Sequence, residues 1–204
     1  PLKRPFLIHS TVQAFGLKAR TFGCAVQKTL SAFTISSNAM LFLYYSTDTT
    51  GPDPAQHALI QMSGILVKDG VVLDVFDLAF APFPGDLPHS ETIAATGLTT
   101  AQIKAFPPAK QGLQTLCKLI GENCGLEKCT LVGWGCASKD DLFLRRTFQK
   151  AEVPSDFTRM FYWPSRDLAA AYSVLFADRR ALLPNFGLDT ICAEMGISFD
   201  HNAL

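Results

Sequence analysis

The feature of the sequence that most constrains the fold is a series of three short apolar segments separated by polar turns. Residues 41–45 form an unbroken apolar run that ends in the polar turn 46–52. Residues 58–68 are rich in Ile, Leu and Val, and Asp69-Gly70 leads from them into residues 71–80. Short apolar runs bounded by turn residues are typical of buried strands, and an Asp-Gly pair between two of them favours a hairpin. The segments predict three adjacent antiparallel strands.

The rest of the chain alternates helical patterns with one further strand-like run at 130–134. Apolar residues at helical spacing and cap residues predict helices at 99–106, 109–121, 138–151, 166–177 and 188–195. At the start of the third helix, Ser138 and Asp141 stand in a capping-box arrangement. Three strands followed by alternating helices and strands predict an α/β domain with a mixed sheet.

Length and composition bound the class of protein. The chain has 204 residues, 48% hydrophobic and 18% charged, which suits one globular domain. Eighteen Lys and Arg balance eighteen Asp and Glu, which excludes a strongly basic nucleic-acid binder. No apolar stretch is long enough to span a bilayer, so we expect no membrane partner. Six cysteines without a Cys-x-x-Cys pair favour free thiols in a reducing compartment, so we expect a cytoplasmic protein.

Residues 1–39 differ in composition from the rest of the chain. They contain five Lys or Arg and no Asp or Glu, and the first methionine is Met40. Three interpretations are open: a transit-like peptide, translated sequence upstream of the true start, or a remnant of an expression design. Each makes Met40 the functional beginning, so we predict a non-domain extension at 1–39 and a domain at 40–204. That domain is mildly acidic, with 13 Lys or Arg against 18 Asp or Glu.

Candidate reactive groups stand where predicted strands end. Asp48 lies in the turn after the first strand, Asp140 and Asp141 follow the strand 130–134, and Asp200-His201 lies near the C-terminus. Carboxylate oxygens suit Mg²⁺ or Mn²⁺, and a nearby histidine would act as a general base. Each residue also has an ordinary structural interpretation, as a turn aspartate, as first-turn helix acids or as a helix-start histidine.

Taken together, these segments resemble the DnaQ-like 3′–5′ exonucleases of the DEDDh type, which include the proofreading epsilon subunit of bacterial replicative polymerase and oligoribonuclease. The family's first motif, an apolar strand running into Asp-Thr-Glu-Thr-Thr-Gly, is similar to residues 40–51. The second motif is similar to residues 131–144. Other similar segments are 60–64, 69–70, 94–99, 167–169 and 196–204. They follow the family's order and cover essentially all of residues 40–204.

The resemblance implies an RNase-H-like mixed sheet with helices on both faces, and removal of nucleotides from a 3′ end with two divalent metal ions, Mg²⁺ or Mn²⁺. Asp48 falls on the second acid of the first motif, which is normally Glu. Asp140 falls on the aspartate of the second motif, with Asp141 as the alternative if the alignment shifts by one residue. His201 falls on the general base. The resemblance therefore makes Asp48 and Asp140 metal ligands and, with His201, catalytic residues.

The first motif ends in Thr49, Thr50 and Gly51, and the resemblance implies that these residues contact the substrate. That substrate would be the single-stranded 3′ end of DNA or RNA, because the family includes enzymes that act on each. Some relatives also dock on a polymerase or form homodimers, and the resemblance extends both expectations to this chain.

The chain departs from the family at three places. The first aspartate, which both metal ions share, is replaced by Ser46. Asp48 reaches about 1.5 Å less far than the usual Glu. The second motif carries Trp134-Gly135-Cys136 where His-Asn is common, and the last metal-binding aspartate would lie beyond Leu204, which predicts a C-terminally truncated domain.

These departures predict an exonuclease whose activity is impaired, because lost carboxylates weaken the hold on both metal ions. The alternative is a catalytically degenerate module that binds nucleic acid or docks on a protein partner. A metal-free structural module is a more distant third hypothesis. The acidic balance of residues 40–204 fits a nuclease that meets phosphate through carboxylate-held metal ions.

Overall fold

The computed structural model of the chain describes residues 41–197. The predicted extension 1–39, the start at Met40 and the expected base His201 lie outside these residues. In chain order the strands and helices are β1 (Leu41–Thr49), β2 (Leu59–Lys68), β3 (Val71–Ala79), α1 (Ser90–Thr96), α2 (Thr100–Lys104), α3 (Ala109–Cys124), β4 (Cys129–Gly133), α4 (Asp140–Lys150), α5 (Pro154–Met160), β5 (Phe161–Asp167), α6 (Leu168–Leu175) and α7 (Leu188–Glu194).

The five strands form one mixed sheet in the order β3-β2-β1-β4-β5. β1, β2 and β3 pair antiparallel, and the predicted hairpin turn is present, with positive φ at Asp69 and Gly70. β4 pairs parallel with both β1 and β5. The predicted α/β class, with antiparallel strands followed by parallel ones, is confirmed. Because β1, β4 and β5 run in one direction, their carboxyl ends meet at the same end of the sheet.

Helices cover both faces of the sheet, as the resemblance implies. The larger core lies on the face covered by α3, α4 and α5, where Leu43 and Tyr45 of β1 meet apolar residues of those helices. The alternate residues of β1 point the other way, and Tyr44 packs there with Val132 of β4 and Leu168 of α6. Successive strand residues face opposite sides, so the unbroken apolar run of β1 reflects burial on both faces.

The fifth strand and two short helices were not predicted. β5 contains Phe161, Tyr162 and Trp163, which favour a strand, but Pro164 follows them. Proline lacks the amide proton that a central strand needs, and it is tolerated here because β5 is an edge strand. The helix predicted at 166–177 therefore begins only at Leu168, after Asp167 ends β5. The other misses are α1 and α5, each seven residues long.

The capping box predicted at the start of α4 is wrong. Residues 136–138 form a 3₁₀ turn, and α4 begins at Asp140 with no side-chain cap from Lys139. The Ser138 hydroxyl donates instead to the carbonyl of Gly135, 2.9 Å away. The carboxylate of Asp141 is therefore free to turn inward toward the sheet.

No helix within residues 41–197 is long and apolar enough to cross a membrane. The five cysteines in the same part of the chain are free thiols.

Candidate functional site

The carboxyl end of β1 supplies the first polar groups of the candidate site. Ser46 and Asp48 alternate along the strand, so they project from the same face of the sheet, and both are half-buried. Thr47, between them, points to the opposite face and is buried. The strand therefore carries the serine and the aspartate side by side at the end of the sheet where β4 also ends.

Asp140, the first residue of α4, meets this end of β1. The Thr47 hydroxyl donates to Oδ1 of Asp140 at 2.5 Å. Burial raises the pKa of Asp140 above its ordinary value, and the nearby charges of Asp141 and Asp48 add to the rise. The Thr47 hydrogen bond and the Lys139 ammonium act in the opposite direction. Asp48 and Asp140, which are 92 positions apart in the sequence, are thus close enough to interact electrostatically.

Asp141 has a different role in the structure. It is fully buried and accepts hydrogen bonds from the Tyr45 hydroxyl, at 2.5 Å, and from the Ser165 hydroxyl. Burial first, and then the neighbouring Asp141 carboxylate, raise the pKa of Tyr45 far above its ordinary value, so the phenol remains a donor. Asp141 joins α4 to β1 and β5, and this geometry favours Asp140 over Asp141 as the residue that faces a ligand.

Asp167 fixes the segment between β4 and α4. Its carboxylate accepts hydrogen bonds from the backbone amides of Gly135 and Ala137, at 2.9 and 3.2 Å. It also caps α6 by accepting from the amide of Ala169 at 3.0 Å. The sequence resemblance marked residues 167–169 without indicating this function, which is to hold the approach to α4 in place.

The residues expected to contact the substrate form a tightly bonded turn. The hydroxyls of Thr49 and Thr50 are buried and donate to the carbonyls of Gly51 and Leu87, at 2.8 and 3.0 Å. A Cβ on Gly51 would lie only 2.1 Å from the ring of His57, so only glycine fits there. Both threonine side chains are thus used within the fold, which leaves the backbone of this turn as the part that could meet a substrate.

A buried carboxylate that sequence reasoning missed holds this turn against α4. The Asp86 side chain is 2% exposed and pairs with Lys150 and with Arg146, whose Nη2 lies 3.6 Å from Asp86 Oδ1. Arg146 also donates to the carbonyl of His57 at 3.2 Å. The local sequence around Asp86 resembles an ordinary loop, and only the fold shows that its cationic partners lie 60 and 64 positions away.

The segment that replaces the family's His-Asn packs inward. The Trp134 ring lies 5.9 Å from that of Tyr172 and 6.1 Å from that of Phe186, measured between centroids. Cys136 is fully buried, and burial raises the pKa of its thiol to about 12. A thiol with that pKa stays protonated near neutral pH, so Cys136 is not a nucleophile.

Within residues 41–197, no three His, Cys, Asp or Glu side chains are placed to hold a metal ion together. Asp48 and Asp140 supply two carboxylates, and Ser46 supplies a hydroxyl where the resemblance implies the shared carboxylate. His201 and Asp200 lie outside the described residues. The expected ligand set is therefore only partly represented in the described fold.

No protein-family model and no curated protein matches the chain. Solved structures of exonuclease I do. These include the E. coli enzyme in complex with a dT13 oligonucleotide (TM-score 0.64, 19% identity), a product-bound structure (0.66, 20%) and the complex with SSB-Ct (0.65, 19%). Each match covers 81% of this chain, and the chain spans only 38–40% of those proteins. The chain thus has the fold of exonuclease I, which agrees with the fold that the sequence resemblance implies.

The Tyr45–Asp141 hydrogen bond is tested by Tyr45→Phe. Removing the hydroxyl leaves the buried Asp141 carboxylate short of one donor, so we expect a loss of about 1.5–3 kcal/mol in the free energy of unfolding. The matched control is Tyr162→Phe, because the Tyr162 ring is exposed and should lose its hydroxyl at a cost within about 0.5 kcal/mol. Urea denaturation measures the free energy of unfolding of both variants. Equal losses in the two variants would contradict the assigned hydrogen bond between Tyr45 and Asp141.

The raised pKa of Asp140 predicts a pH-dependent effect of Asp140→Asn. A raised pKa means that the folded state holds the proton more tightly than the unfolded state, whose aspartates titrate near about 3.9. The resulting stabilisation is present below that pH and is lost as the pH rises through the folded-state pKa.

We therefore expect Asp140→Asn to stabilise the metal-free protein at pH 7 by about 0.5–2 kcal/mol, and to have little effect near pH 3.5. Denaturation with EDTA at the two pH values measures this difference. The exposed Asp178→Asn is the control and should change stability little at either pH. Destabilisation by Asp140→Asn at pH 7 would contradict the assignment.

Proposed function

We propose that this chain is a 3′–5′ exonuclease-like domain that acts on single-stranded nucleic acid ends with divalent metal ions, at an activity reduced by Ser46. The observation that supports this most is the hydrogen bond from Thr47, the residue next to Asp48, to Asp140, at the end of the sheet where β1 and β4 finish. In open α/β sheets, ligands bind at this end of the parallel strands. The domain is proposed to begin at Met40.

The two carboxylates fit a hard cation, although not a complete two-metal site. Their oxygens are the donors that Mg²⁺ and Mn²⁺ prefer. The raised pKa of Asp140, which comes first from burial of its charge, supports this assignment, because a bound cation would offset that cost. Ser46 adds no charge, so we infer that the second ion is held more weakly than in the family.

A divalent ion held by Asp48 and Asp140 would neutralise phosphate charge and stabilise the departing oxygen. The protein's own residues do the positioning. Thr47 fixes one oxygen of Asp140 and thereby turns the carboxylate toward β1. The turn at residues 49–51, held by Asp86 and Arg146, is proposed to orient the terminal nucleotide through its backbone. His201, if it acts as the resemblance implies, would take up the proton of the attacking water.

Several finer expectations belong to this proposal. Exonuclease I was solved with a dT13 oligonucleotide, which supports single-stranded DNA as the first substrate to test. The free cysteines among residues 41–197 support a reducing compartment such as the cytoplasm. The polymerase or homodimer partners expected from the resemblance remain predictions.

The second candidate function is a degenerate module that keeps the fold and binds nucleic acid without cleaving it. Ser46 favours this hypothesis, because a neutral hydroxyl stands at the position that both metal ions share in the family. The two candidate functions predict different results when a carboxylate is restored at position 46. The cleavage rate would rise in a weakened enzyme, and it would not change in a binding module whose site has otherwise been lost.

Ser46→Asp separates the two candidates. With a 5′-labelled single-stranded oligonucleotide and Mn²⁺, we expect the substitution to raise 3′ trimming by about a hundredfold or more, because a charge that stabilises the transition state is restored. Adding Asp140→Asn should abolish the gain. Ser173→Asp, which adds a carboxylate on the exposed surface of α6, is the control and should leave the rate unchanged. Trimming by neither the natural chain nor the Ser46→Asp variant would reject the enzyme and leave the binding module.

A further inference from the structure

Two aromatic side chains lie half-exposed on the edge strand β5. Tyr162 is 56% exposed and Trp163 is 51% exposed. Each is accompanied by a cation: Lys128 Nζ lies 5.8 Å from the centroid of the Tyr162 ring, and the Arg145 guanidinium carbon lies 4.3 Å from the centroid of the Trp163 indole. Aromatic rings combined with cations are the groups on which proteins stack single-stranded bases and neutralise their phosphates.

The cations on this edge are not compensated by acids. Among residues 41–197, Lys128, Arg145 and Arg166 form no salt bridge with a carboxylate. Six of the ten other Lys and Arg residues in this range are paired with carboxylates, and the four that are not, Lys104, Lys110, Lys139 and Arg180, lie outside β5. In a domain with more acids than bases, the edge of β5 is therefore a local positive surface, and an anionic ligand complements it.

This edge leads to the candidate site. Tyr162 and Arg166 align with residues of β4 that face the same way as Ser46 and Asp48 on β1. Arg166 is one residue from the carboxyl end of β5, which is the end of the sheet where the site lies. Tyr162 stands about 13 Å further along the strand. β4 lies between β1 and β5, which are therefore about 10 Å apart. A flexible single-stranded segment of a few nucleotides can span that distance.

We propose that the β5-edge surface, formed by Lys128, Tyr162 and Arg166 on the face of the sheet that carries Ser46 and Asp48, binds the single-stranded tail of a nucleic acid whose 3′ end occupies the candidate site. The inference rests on the proposed function and deepens it, since it assigns the residues that hold the substrate upstream of the scissile end. Tyr162 stacks on a base, while Lys128 and Arg166 contact phosphates. Stacking of this kind tolerates any base, so the surface selects single strands rather than a sequence.

The same edge is poorly suited to a peptide that would add a strand to the sheet. Pro164 lies in the middle of β5 and has no amide proton to donate to an incoming strand. The exposed side chains are aromatic and cationic, which suits a nucleic acid backbone better than an apolar protein face.

The test measures binding in EDTA, where cleavage is off, with fluorescent oligothymidylates of about four and about twelve nucleotides. We expect Tyr162→Ala to weaken binding of the longer oligonucleotide about tenfold and to leave the shorter one nearly unchanged. Tyr162→Phe keeps the ring and should bind as the natural chain does. Val174→Ala, which removes an exposed apolar side chain from α6, is the matched control and should have no effect.

Salt dependence tests the cations separately. Lys128→Gln combined with Arg166→Gln should lower the slope of log affinity against log salt by about 1.4 for the longer oligonucleotide, because two phosphate contacts are lost. Lys110→Gln combined with Lys118→Gln, on the exposed face of α3, should leave the slope unchanged. An unchanged slope in the Lys128 and Arg166 variant overturns the inference. The inference is also overturned if Tyr162→Ala weakens binding of both oligonucleotide lengths equally. Tight binding of an acidic peptide through the same residues, in place of DNA, overturns it as well.

Failure of this inference and failure of the proposed function are distinguishable. Suppose that the chain trims 3′ ends, but the β5-edge variants bind long and short oligonucleotides with the same affinities as the natural chain. The proposed binding surface is then rejected, and the proposed exonuclease activity is retained. If no trimming occurs in Mn²⁺ but Tyr162→Ala still weakens binding of the longer oligonucleotide selectively, the binding surface is retained and the proposed exonuclease activity is rejected.

Discussion

The position of the candidate site depends on one buried polar contact, the acceptance by Asp141 of hydrogen bonds from Tyr45 and Ser165. A fully buried carboxylate without donors would be strongly destabilising, so this arrangement forces three elements together. Tyr45 belongs to β1, Asp141 to α4 and Ser165 to β5. Because Asp140 precedes Asp141 directly, the contact that anchors α4 also sets the neighbouring carboxylate beside Thr47 and Asp48.

Two further carboxylates surround this anchor and support it. Asp167 binds the backbone amides of the segment that enters α4, and Asp86 pairs with cations on the later turns of the same helix. The three buried or half-buried acids thus hold α4, the loop before it and the turn at 49–51 in one arrangement. Asp140 differs from them because its most prominent influence is an unfavourable one, the desolvation of its charge. A buried, poorly compensated charge at the end of a sheet is typical of ligand sites, and it lowers the stability of the empty protein.

The sequence predicted the class of fold well because that information is local. The apolar runs at β1 and β2, the Asp69-Gly70 turn and the periodicity of α3 each follow from near neighbours in the chain. β5 was missed because Pro164 argues against a strand until the edge position is known. The anchoring roles of Asp86, Asp141 and Asp167 could not be predicted either, since the groups that they bind across the fold come from distant segments. Only the family resemblance predicted that Asp48 and Asp140 act together, and the parallel pairing of β1 with β4 brings the segments that carry them to the same end of the sheet.

The central claim is that Asp48 and Asp140 together hold a divalent cation, and titration calorimetry with Mn²⁺ tests it most directly. The account predicts measurable binding by the natural chain, with one ion held more tightly than any second, and loss of that binding in both Asp48→Asn and Asp140→Asn. The fold should remain intact in both variants. Mn²⁺ binding that is absent from the natural chain, or that survives both substitutions, would contradict the account and leave the fold without the site assigned to it.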